Sequence, residues 1–458
     1  MNFATLGYAA FLLVVVGVYW ALPRRAGRYW LILASLVFYG SWNPVYVPGF
    51  VALIVATWAL GFAAAGPHRR LAVAGAIAVN VGVLGLFKYA DWLLGSAASV
   101  YALVTGSTPM FGPIRLILPI AISFVALTSV AYVIDVSRGV ARPERDLGRF
   151  ALFIAFFPKL LAGPIMRASE FLPQARHPRP FSMRHLEVAV PLLIGGLLKK
   201  TVADNLAPSV ALVFSDPAAF STPSLWMGVL AYTFQVFLDF SGYTDMALGS
   251  AALLGFRLPP NFDWPYRATS IQDFWRRWHF SLSRWLRDYV YFPLRGRQPH
   301  PAWPYAALII TMLVCGLWHG AGLGFVLWGA CHGVGLAVNR WHRRHLAGAV
   351  AVPALAGWAA TFALVVLSRV FFRSGSIDQA VEVFRLGLSV RLDGDVIPLA
   401  VGLLCAGLTV GQWPAIADRL RSLVPERSPR RYLAYGFALT VAVALMPVET
   451  VRFIYFQF

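Results

Sequence analysis

The sequence predicts an all-α integral membrane protein, and three features of its composition and patterning support that prediction. First, apolar residues make up 59% of the 458 residues and charged residues only 13%, against roughly a quarter charged in an ordinary soluble domain. Second, uncharged apolar runs recur along the chain, several of them close to the ~20 residues that a helix needs to cross a bilayer. Third, basic residues stand in short clusters between these runs, as in loops beside an inner leaflet.

The amino-terminal part divides into spans at its basic clusters. Asn2–Leu22 forms the first apolar run, and because no basic residue precedes it and a proline with two arginines follows, we interpret it as a retained helix rather than a secretory signal. Residues 29–65 predict two spans with a turn near Trp42–Pro48. Residues 71–136 predict two more around an almost uncharged loop at Gly95–Gly112.

The middle of the chain is less regular than its ends. Phe150–Met166 and Val188–Lys200 are short and contain prolines and lysines, which predicts re-entrant helices that line a cavity. Apolar runs near 351–372 and 396–413 predict further spans on either side of a mixed-charge segment. Residues 432–458 predict the last span.

The basic clusters also predict the topology, because positive residues mark the cytoplasmic ends of membrane helices. If all the basic clusters lie on the cytoplasmic side, the amino terminus faces outward. No internal repeat or long polar linker interrupts the chain, so residues 1–458 predict a single polytopic membrane domain. The clusters are Arg24/Arg25/Arg28, Arg69/Arg70, Arg138–Arg149, Arg340–Arg344 and Arg419–Arg431.

Several function classes lack support in the sequence. The net charge of +19 does not indicate nucleic-acid binding, because the basic residues are dispersed between apolar runs. Cys315, Cys331 and Cys405 lie in apolar sequence, which predicts core packing rather than disulfides or metal ligation. No nucleophile elbow, Walker loop or H-E-x-x-H motif is present. We therefore predict neither a metal nor a bound cofactor.

Residues 268–294 are too polar to span a membrane and too aromatic for an ordinary loop. In a helix, the apolar and aromatic side chains would recur at spacings of three and four, with arginines on other faces: Trp275, Trp278, Leu282, Trp285 and Tyr289. This pattern predicts an interfacial amphipathic helix. Two interpretations stay open: the side chains anchor the helix at headgroup level, or they also bind an anionic donor such as a coenzyme A thioester. We take as candidate donor-binding residues Trp275, Arg276, Arg277, Trp278, Ser281, Arg284, Arg287, Asp288, Tyr291 and Trp318.

Three histidines are candidates for chemistry. His319 and His332 stand inside the apolar run 308–335, where an ionisable side chain is expensive and indicates function. Burial disfavours the imidazolium, so such a histidine stays able to accept a proton, as a general base must. The two lie roughly 140° apart around a helix and can face one point only if the helix breaks, so we assign His332 a structural role. For His279 the residues alone favour packing over catalysis.

Other polar and small residues in apolar surroundings complete the candidate set. Asp239 and Asp245 are expected to pair with arginines or to set the polarity of a cavity. Glycines around His319, from Gly316 to Gly324, leave room for a ligand or for close packing of another helix. The candidates for tunnel or structural roles are Asp239, Ser241, Tyr243, Asp245, Asn261 and His332.

Together these segments resemble the membrane-bound O-acyltransferase family, within it the branch of the alginate O-acetyltransferase membrane subunit. The motifs that carry the resemblance are LAGPIMRASEFLPQ (161–174), FQVFLDFSGYTDMA (234–247), LPPNFDWPYRATSIQDFWRRWHFSLSRWLRDYVYFPL (258–294), GLWHGAGLGFVLWGACHG (316–333) and the terminal FIYFQF. The resemblance covers essentially the whole chain, with the strongest motifs in residues 119–335. It implies a multi-pass bundle of about 11 transmembrane helices, with re-entrant and interfacial helices around a central tunnel. It also implies that His319 is the catalytic histidine and His279 the second motif histidine.

The resemblance implies an activity as well. His319 would be the general base for transfer of acetyl groups from cytosolic acetyl-coenzyme A, in a multi-pass protein of the inner (cytoplasmic) membrane. The partners it implies are membrane lipid, acetyl-coenzyme A, an extracytoplasmic acetyltransferase and a polysaccharide acceptor such as alginate or a cell-wall glycan. Two alternatives stay open: a transporter or flippase of a lipid-linked or glycan substrate, and the same fold with a D-alanyl carrier protein as donor.

Overall fold

The computed structural model describes residues 2–107, 112, 114, 116–296, 299–346, 352–411, 429–447 and 453–454. Its contacts divide the chain into two units. The first comprises Met1–Val190 and Met246–Pro259, and the second comprises Pro191–Asp245 and Pro260–Phe458. That the whole chain forms one membrane domain stays a prediction.

Among the described residues, eight helices lie wholly within the first unit, and the apolar runs predicted before residue 137 correspond to α1 to α5. Their bounds are α1 Leu6–Ala21, α2 Arg24–Gly40, α3 Tyr46–Ala64, α4 Arg69–Thr105, α5 Ile122–Ser137, α6 Leu147–Ala155, α7 Phe157–Leu160 and α8 Ala168–Arg176. Two long helices, α9 Met183–Ser215 and α10 Thr222–Leu253, contain unit boundaries. The predicted turn at Trp42–Pro48 joins α2 to α3, and the interruption predicted in Phe150–Met166 is present after α6 and after α7.

Two predicted boundaries are wrong. The loop expected to begin at Gly95 is helical to Thr105, because the hydroxyls of Ser96, Ser99 and Thr105 each donate to the carbonyl four residues earlier and are satisfied within the helix. The remainder of that loop lies in part outside the described residues. Val188–Lys200 is not a short re-entrant helix but part of α9, which continues through Pro191. Membrane helices tolerate proline where neighbouring groups satisfy the freed carbonyls.

The core of the first unit is aromatic. The ring of Phe157 lies 5.2 Å from that of Phe11 and 5.7 Å from that of Phe38. The amide of Phe157 donates to the hydroxyl of Ser35 at 3.1 Å, which fixes the start of α7 against α2. Gly163 allows the following turn, since a Cβ there would lie 2.3 Å from the Cα of Lys159. The sequence between α6 and α8 is therefore a packed part of the core in which α7 is the only helical turn among the described residues.

The second unit contains the carboxyl-terminal helices. They are α11 Ile271–Arg277, α12 Phe280–Leu286, α13 Phe292–Arg295, α14 Trp303–His319, α15 Leu323–His345, α16 Ala354–Arg373, α17 Ile377–Leu388, α18 Leu399–Gly411 and α19 Pro429–Ala444. The spans expected near 351–372 and 396–413 are thus confirmed as helices. Most of the basic cluster Arg419–Arg431 and the terminal residues 455–458 lie outside the described residues.

The single amphipathic helix predicted for residues 268–294 is wrong. The segment forms α11, a break, α12, a π-helical turn at Arg287–Tyr291 and α13. Trp275 and Trp278 are 7% and 2% exposed, so their side chains pack inside the protein instead of anchoring a helix at the membrane surface. The aromatic residues recur every three or four positions because they form a face that is buried in the protein. A helix face that contacts lipid has the same period, so the spacing alone does not distinguish the two.

Three described helices are long and apolar enough to cross a membrane: Tyr46–Ala64, Arg69–Thr105 and Ala354–Arg373. The apolar window of α4 is only 22% buried inside the protein, so most of its apolar surface needs a lipid environment. Leu6–Ala21, Ile122–Ser137, Trp303–His319 and Leu399–Gly411 are apolar but shorter. These helices are those of an integral membrane α protein, while the count of about 11 spans stays a prediction.

Candidate active site

All residues of the candidate active site belong to the second unit. His279 stands at the break between α11 and α12, with φ of +44° and no exposed surface. A left-handed backbone costs a residue other than glycine roughly 1–3 kcal/mol, and such strain clusters at functional sites. The imidazole packs edge-on against Phe240, with ring centroids 4.7 Å apart. The strain and burial together indicate that the fold holds this histidine in one place.

The segment before α11 holds the break in position. The backbone amide of Phe280 donates to the carbonyl of Asn261 at 3.0 Å. The Asn261 side-chain oxygen accepts from the amide and the hydroxyl of Ser281, at 3.1 and 2.7 Å. On the other side of the break, the guanidinium of Arg277 lies 2.7 Å from the carboxylate of Asp263. Asn261 and Ser281 thus hold the backbone on either side of His279 in position.

His319 is the last residue of α14, and glycines set its place relative to α15. A Cβ on Gly316 would lie 2.2 Å from the carbonyl oxygen of Phe325, and one on Gly329 would lie 2.4 Å from that of Met312. Only glycine allows the two backbones to approach so closely. Of the two explanations for the glycines around His319, close helix packing is confirmed.

Aromatic rings surround His319 and connect it to His279. The His319 ring centroid lies 4.9 Å from that of Trp318, 5.0 Å from that of Trp328 and 5.3 Å from that of Phe372. Trp318 is also 6.2 Å from His279. The structure therefore brings both candidate catalytic histidines against one indole, although they are 40 positions apart in the sequence.

His332 lies on the other side of Trp328, at 4.7 Å between ring centroids. The break between α14 and α15 is what brings both histidines of this run to one tryptophan. The Ser368 hydroxyl donates to the carbonyl of Val365 at 2.9 Å, so His332 Nε2, 3.0 Å from it, is the donor in their hydrogen bond. This leaves Nδ1 of His332 as an acceptor, and the structural role of this residue stays a prediction.

Three buried polar atoms near His319 have no hydrogen-bond partner within the described part of the chain. They are Nδ1 of His332 and the indole Nε1 atoms of Trp275 and Trp328. The ring of Trp275 lies 5.4 Å from that of His332 and 6.0 Å from that of Trp328. Because buried polar groups are nearly always hydrogen-bonded, these atoms indicate a place for a polar ligand group.

A cavity of about 730 Å³ reaches this cluster from the protein surface. Its buried lining is mainly apolar and includes Trp275, Leu286 and Met312. Its outer lining is basic, with arginines at positions 287, 295, 340, 343 and 344. Of these, Arg287 pairs with Asp288 at 2.7 Å, while the other four form no ion pair with any described carboxylate. The cavity combines an apolar interior with a strongly cationic entrance.

The predicted donor-binding residues divide into two groups. Trp275, Arg287 and Tyr291 line the cavity. The other seven lie outside this lining, and donor binding stays a prediction for all ten. Arg276 is exposed, Arg277 pairs with Asp263, Trp278 is in the core, Ser281 binds Asn261, Asp288 pairs with Arg287, Arg284 is half-buried, and Trp318 lies between the two histidines.

The candidate carboxylates pair with lysines, not arginines. Nζ of Lys200, 1% exposed, lies 2.5 Å from Asp204 and 2.9 Å from Asp239, and Lys199 lies 2.5 Å from Asp245. Asp239 also accepts from the amide of Ile454 at 2.8 Å, which holds the chain end against α10. Ser241 and Tyr243 are buried on the same helix.

Sequence reasoning missed two parts of the site. The cavity arginines at the end of α15 follow Leu336 at helical spacing, at positions 340, 343 and 344, and this periodicity was present in a cluster interpreted only as a topology signal. Arg369, 2% exposed, stacks on Trp278 at 4.9 Å and on Phe372 at 5.5 Å. It forms no ion pair with a described carboxylate, and its position in an apolar run was the available signal.

This arrangement, a histidine at the end of a closely packed helix pair beside a cationic cavity, defines a class of protein. Residues 141–372 match the model of MBOAT, the membrane-bound O-acyltransferase family. The chain belongs to that family and is an O-acyltransferase.

Curated relatives carry more specific names. The chain is 39% identical to "Probable alginate O-acetylase AlgI" of Azotobacter vinelandii, over 81% of this chain and 74% of the relative. It is 37% identical to the peptidoglycan O-acetyltransferase of Helicobacter pylori, over 78% and 73%. It is 34% identical to the teichoic acid D-alanyltransferase of Streptococcus thermophilus, over 49% and 58%. The relatives thus share acyl transfer and differ in acyl group and acceptor.

Proposed function

We propose that this O-acyltransferase transfers acetyl groups from cytosolic acetyl-coenzyme A, across or within the inner membrane, for O-acetylation of an exopolysaccharide such as alginate or of a cell-wall glycan. The observation that carries the proposal is the cavity that runs from an entrance lined by five arginines to Trp275, beside the aromatic cluster of His319.

The cavity has the character of a donor site. Its volume of about 730 Å³ lies within the range of ~300–1,000 Å³ usual for ligand pockets. Guanidinium groups bind phosphate oxygens with charge-assisted hydrogen bonds, so the entrance arginines suit the pyrophosphate and ribose phosphate of coenzyme A. The apolar interior suits the pantetheine arm, which would carry the acetyl thioester toward Trp275.

The orphaned polar atoms suit the reacting end of the donor. The indole N–H groups of Trp275 and Trp328 would donate to its carbonyl or amide oxygens, where preorganised donors stabilise developing charge most effectively. Trp328 contacts His319 directly. A thioester held by these indoles would therefore be within reach of a base at His319.

His319 would act as the general base. Its imidazole takes the proton of the acceptor hydroxyl as the hydroxyl oxygen forms a bond to the acetyl carbon. The tetrahedral intermediate then expels the thiolate of coenzyme A, which takes the proton back from His319. His279, held rigidly against Trp318, would keep the other wall of this site in place and contact the acceptor.

Relatives named as alginate O-acetylase and peptidoglycan O-acetyltransferase support acetyl as the acyl group. They also support a glycan as the final acceptor, which would be reached through an extracytoplasmic partner acetyltransferase. The D-alanyltransferase relative covers only 49% of this chain, so a D-alanyl carrier protein is the second candidate donor.

The test supplies radiolabelled acetyl-coenzyme A to the cytoplasmic side of membrane vesicles, with a candidate partner and glycan on the other side. We expect label on the outer acceptor with the parent protein, and a fall of roughly 10²–10⁴-fold with His319→Ala. His68→Ala, which removes an exposed histidine, is the control and keeps the parent rate. Equal transfer by the parent and His319→Ala would refute the role of His319, and glycan transport without thioester consumption would indicate a transporter.

A further inference from the structure

A second basic pocket, of about 220 Å³, belongs to the first unit and takes no part in the proposed transfer. Its wall is partly apolar, with the side chains of Tyr19, Leu31, Leu152 and Phe256. The rest of the lining includes five arginines: Arg24, Arg25, Arg28, Arg149 and Arg176. They come from three separate helices, α2, α6 and α8, so the fold itself gathers them.

Two carboxylates hold part of this cluster in a fixed arrangement. Asp146 accepts from Nη1 of Arg28 at 2.7 Å. Glu144, whose side chain is 3% exposed, accepts from Nε and Nη2 of Arg176 at 3.1 and 2.6 Å. Arg149 lies 3.7 Å from Glu144 and 3.6 Å from Asp146. These guanidiniums are therefore preorganised at the pocket and do not have to be ordered by a ligand.

The two carboxylates do not neutralise all the arginines of the pocket, and within the described chain some guanidinium N–H donors remain without an acceptor. Arg24 and Arg25 form no ion pair with any carboxylate in the described ranges, so five arginines face two carboxylates and three positive charges remain. The buried Nε of Arg28 has no hydrogen-bond partner among the described residues. A guanidinium offers five N–H donors and no acceptor, so the ligand that complements this site is an anion with several acceptor oxygens.

We propose that this pocket binds a phosphate group, supplied by the headgroup of an anionic phospholipid. Arginines recognise phosphate by charge-assisted hydrogen bonds, and basic pockets between membrane helices bind anionic lipid headgroups. The apolar wall favours a lipid over a soluble phosphate, because the glycerol and the first carbons of an acyl chain would cover it. The pocket lies where the apolar helix α1 ends and the arginine-rich first turn of α2 begins.

The test uses the full-length protein, delipidated in an uncharged detergent. Thermal unfolding is followed while phosphatidylglycerol, phosphatidylcholine, glycerol 3-phosphate or inorganic phosphate is added, and bound lipids are counted by native mass spectrometry. The variant Arg24→Gln/Arg25→Gln removes two exposed arginines that hold no ion pair. The matched control, Arg69→Gln/Arg70→Gln, removes an equally exposed pair at the start of α4, outside the pocket.

We expect phosphatidylglycerol to stabilise the parent and the control alike, and phosphatidylcholine to have little effect. Arg24→Gln/Arg25→Gln should weaken phosphatidylglycerol binding about 25-fold, since each arginine near an anionic lipid contributes roughly a factor of five. If the double variant does not fold, Arg25→Gln alone should show a fivefold loss. Equal losses in variant and control would overturn the pocket, and equal affinity for glycerol 3-phosphate would overturn the assignment to lipid.

Discussion

The packing of α14 against α15 should be as important for catalysis as the histidine itself, and Gly316→Ala tests this. Gly316 lies one helical turn before His319. A Cβ at this position would lie 2.2 Å from the carbonyl oxygen of Phe325, whereas ordinary contacts of this kind begin at 3.4 Å. Because the obstructing atom is backbone, it cannot turn away as a side chain would.

The size of the effect follows from this overlap. To accept the methyl group, the two helices must separate by about 1 Å at Gly316, in an interior as densely packed as a crystal. Overpacking of that kind costs roughly 1–3 kcal/mol of unfolding free energy. A displacement of ~1 Å in a reacting group can lower the rate by about 10²-fold. We therefore expect a protein that folds, unfolds at a lower temperature and transfers acetyl groups about 100 times more slowly.

The assay measures acetyl transfer from acetyl-coenzyme A together with thermal unfolding. Gly82→Ala is the matched control, because Gly82 is also helical and a Cβ there meets no atom within 4 Å. This control should unfold and react as the parent does. Parent-like transfer by Gly316→Ala would refute the reasoning, since it would mean that the spacing of α14 and α15 does not position His319.

Three further predictions concern the supporting residues. Asn261→Ala leaves two buried donors of Ser281 unsatisfied, so we expect a loss of roughly 2–4 kcal/mol of unfolding free energy and slower transfer with unchanged donor affinity, measured by thermal unfolding and steady-state kinetics. Lys200→Met leaves two buried carboxylates without their cation, so we expect a loss of about 3–5 kcal/mol, measured as a lower unfolding temperature. Arg369→Lys keeps the charge but loses the planar stacking on two rings, so we expect a loss of about 2 kcal/mol, again by thermal unfolding.

Each of these predictions has its own control. Ser281→Ala removes one of the two donors, so adding it to Asn261→Ala should cost less than the two single losses together. Replacing Asp204 and Asp239 by asparagine should recover part of the stability lost in Lys200→Met. Arg373→Lys, at a half-buried arginine that also faces two rings, should cost less than Arg369→Lys. Additive losses in the Asn261 and Ser281 double variant would contradict the first explanation. A failure of the asparagine replacements to recover stability would contradict the second, and equal losses in Arg373→Lys and Arg369→Lys would contradict the third.

Much of the fold could be predicted from the sequence because membrane helices have a strong local signal. Apolar length and basic flanks gave α1, α2 and α3 close to their observed bounds. The intramembrane histidines also stand out, because an ionisable group in an apolar run has few structural explanations. His319 became a candidate in this way, whereas His279 became one only through the family resemblance, and the catalytic role of both stays a prediction.

The rest depends on tertiary contacts that no local pattern contains. The periodicity of residues 268–294 is that of an amphipathic helix, yet the backbone amides of Phe280 and Ser281 donate hydrogen bonds to Asn261, and the segment breaks at the buried His279. The arginine-lined cavity combines this segment with the end of α15, about 50 positions later along the chain. The pocket at Arg28 depends on Glu144 and Asp146, which lie more than 100 positions away.

The central claim is that the arginine-lined cavity binds the donor while His319 performs the chemistry. The most direct test measures the affinity for acetyl-coenzyme A and the rate of acetyl transfer in the parent, in His319→Ala and in Arg340→Gln/Arg343→Gln. We predict that His319→Ala binds the donor as tightly as the parent but does not transfer, and that the arginine variant binds at least about tenfold more weakly. A His319→Ala protein that no longer binds the donor, or an arginine variant that binds it normally, would contradict the account.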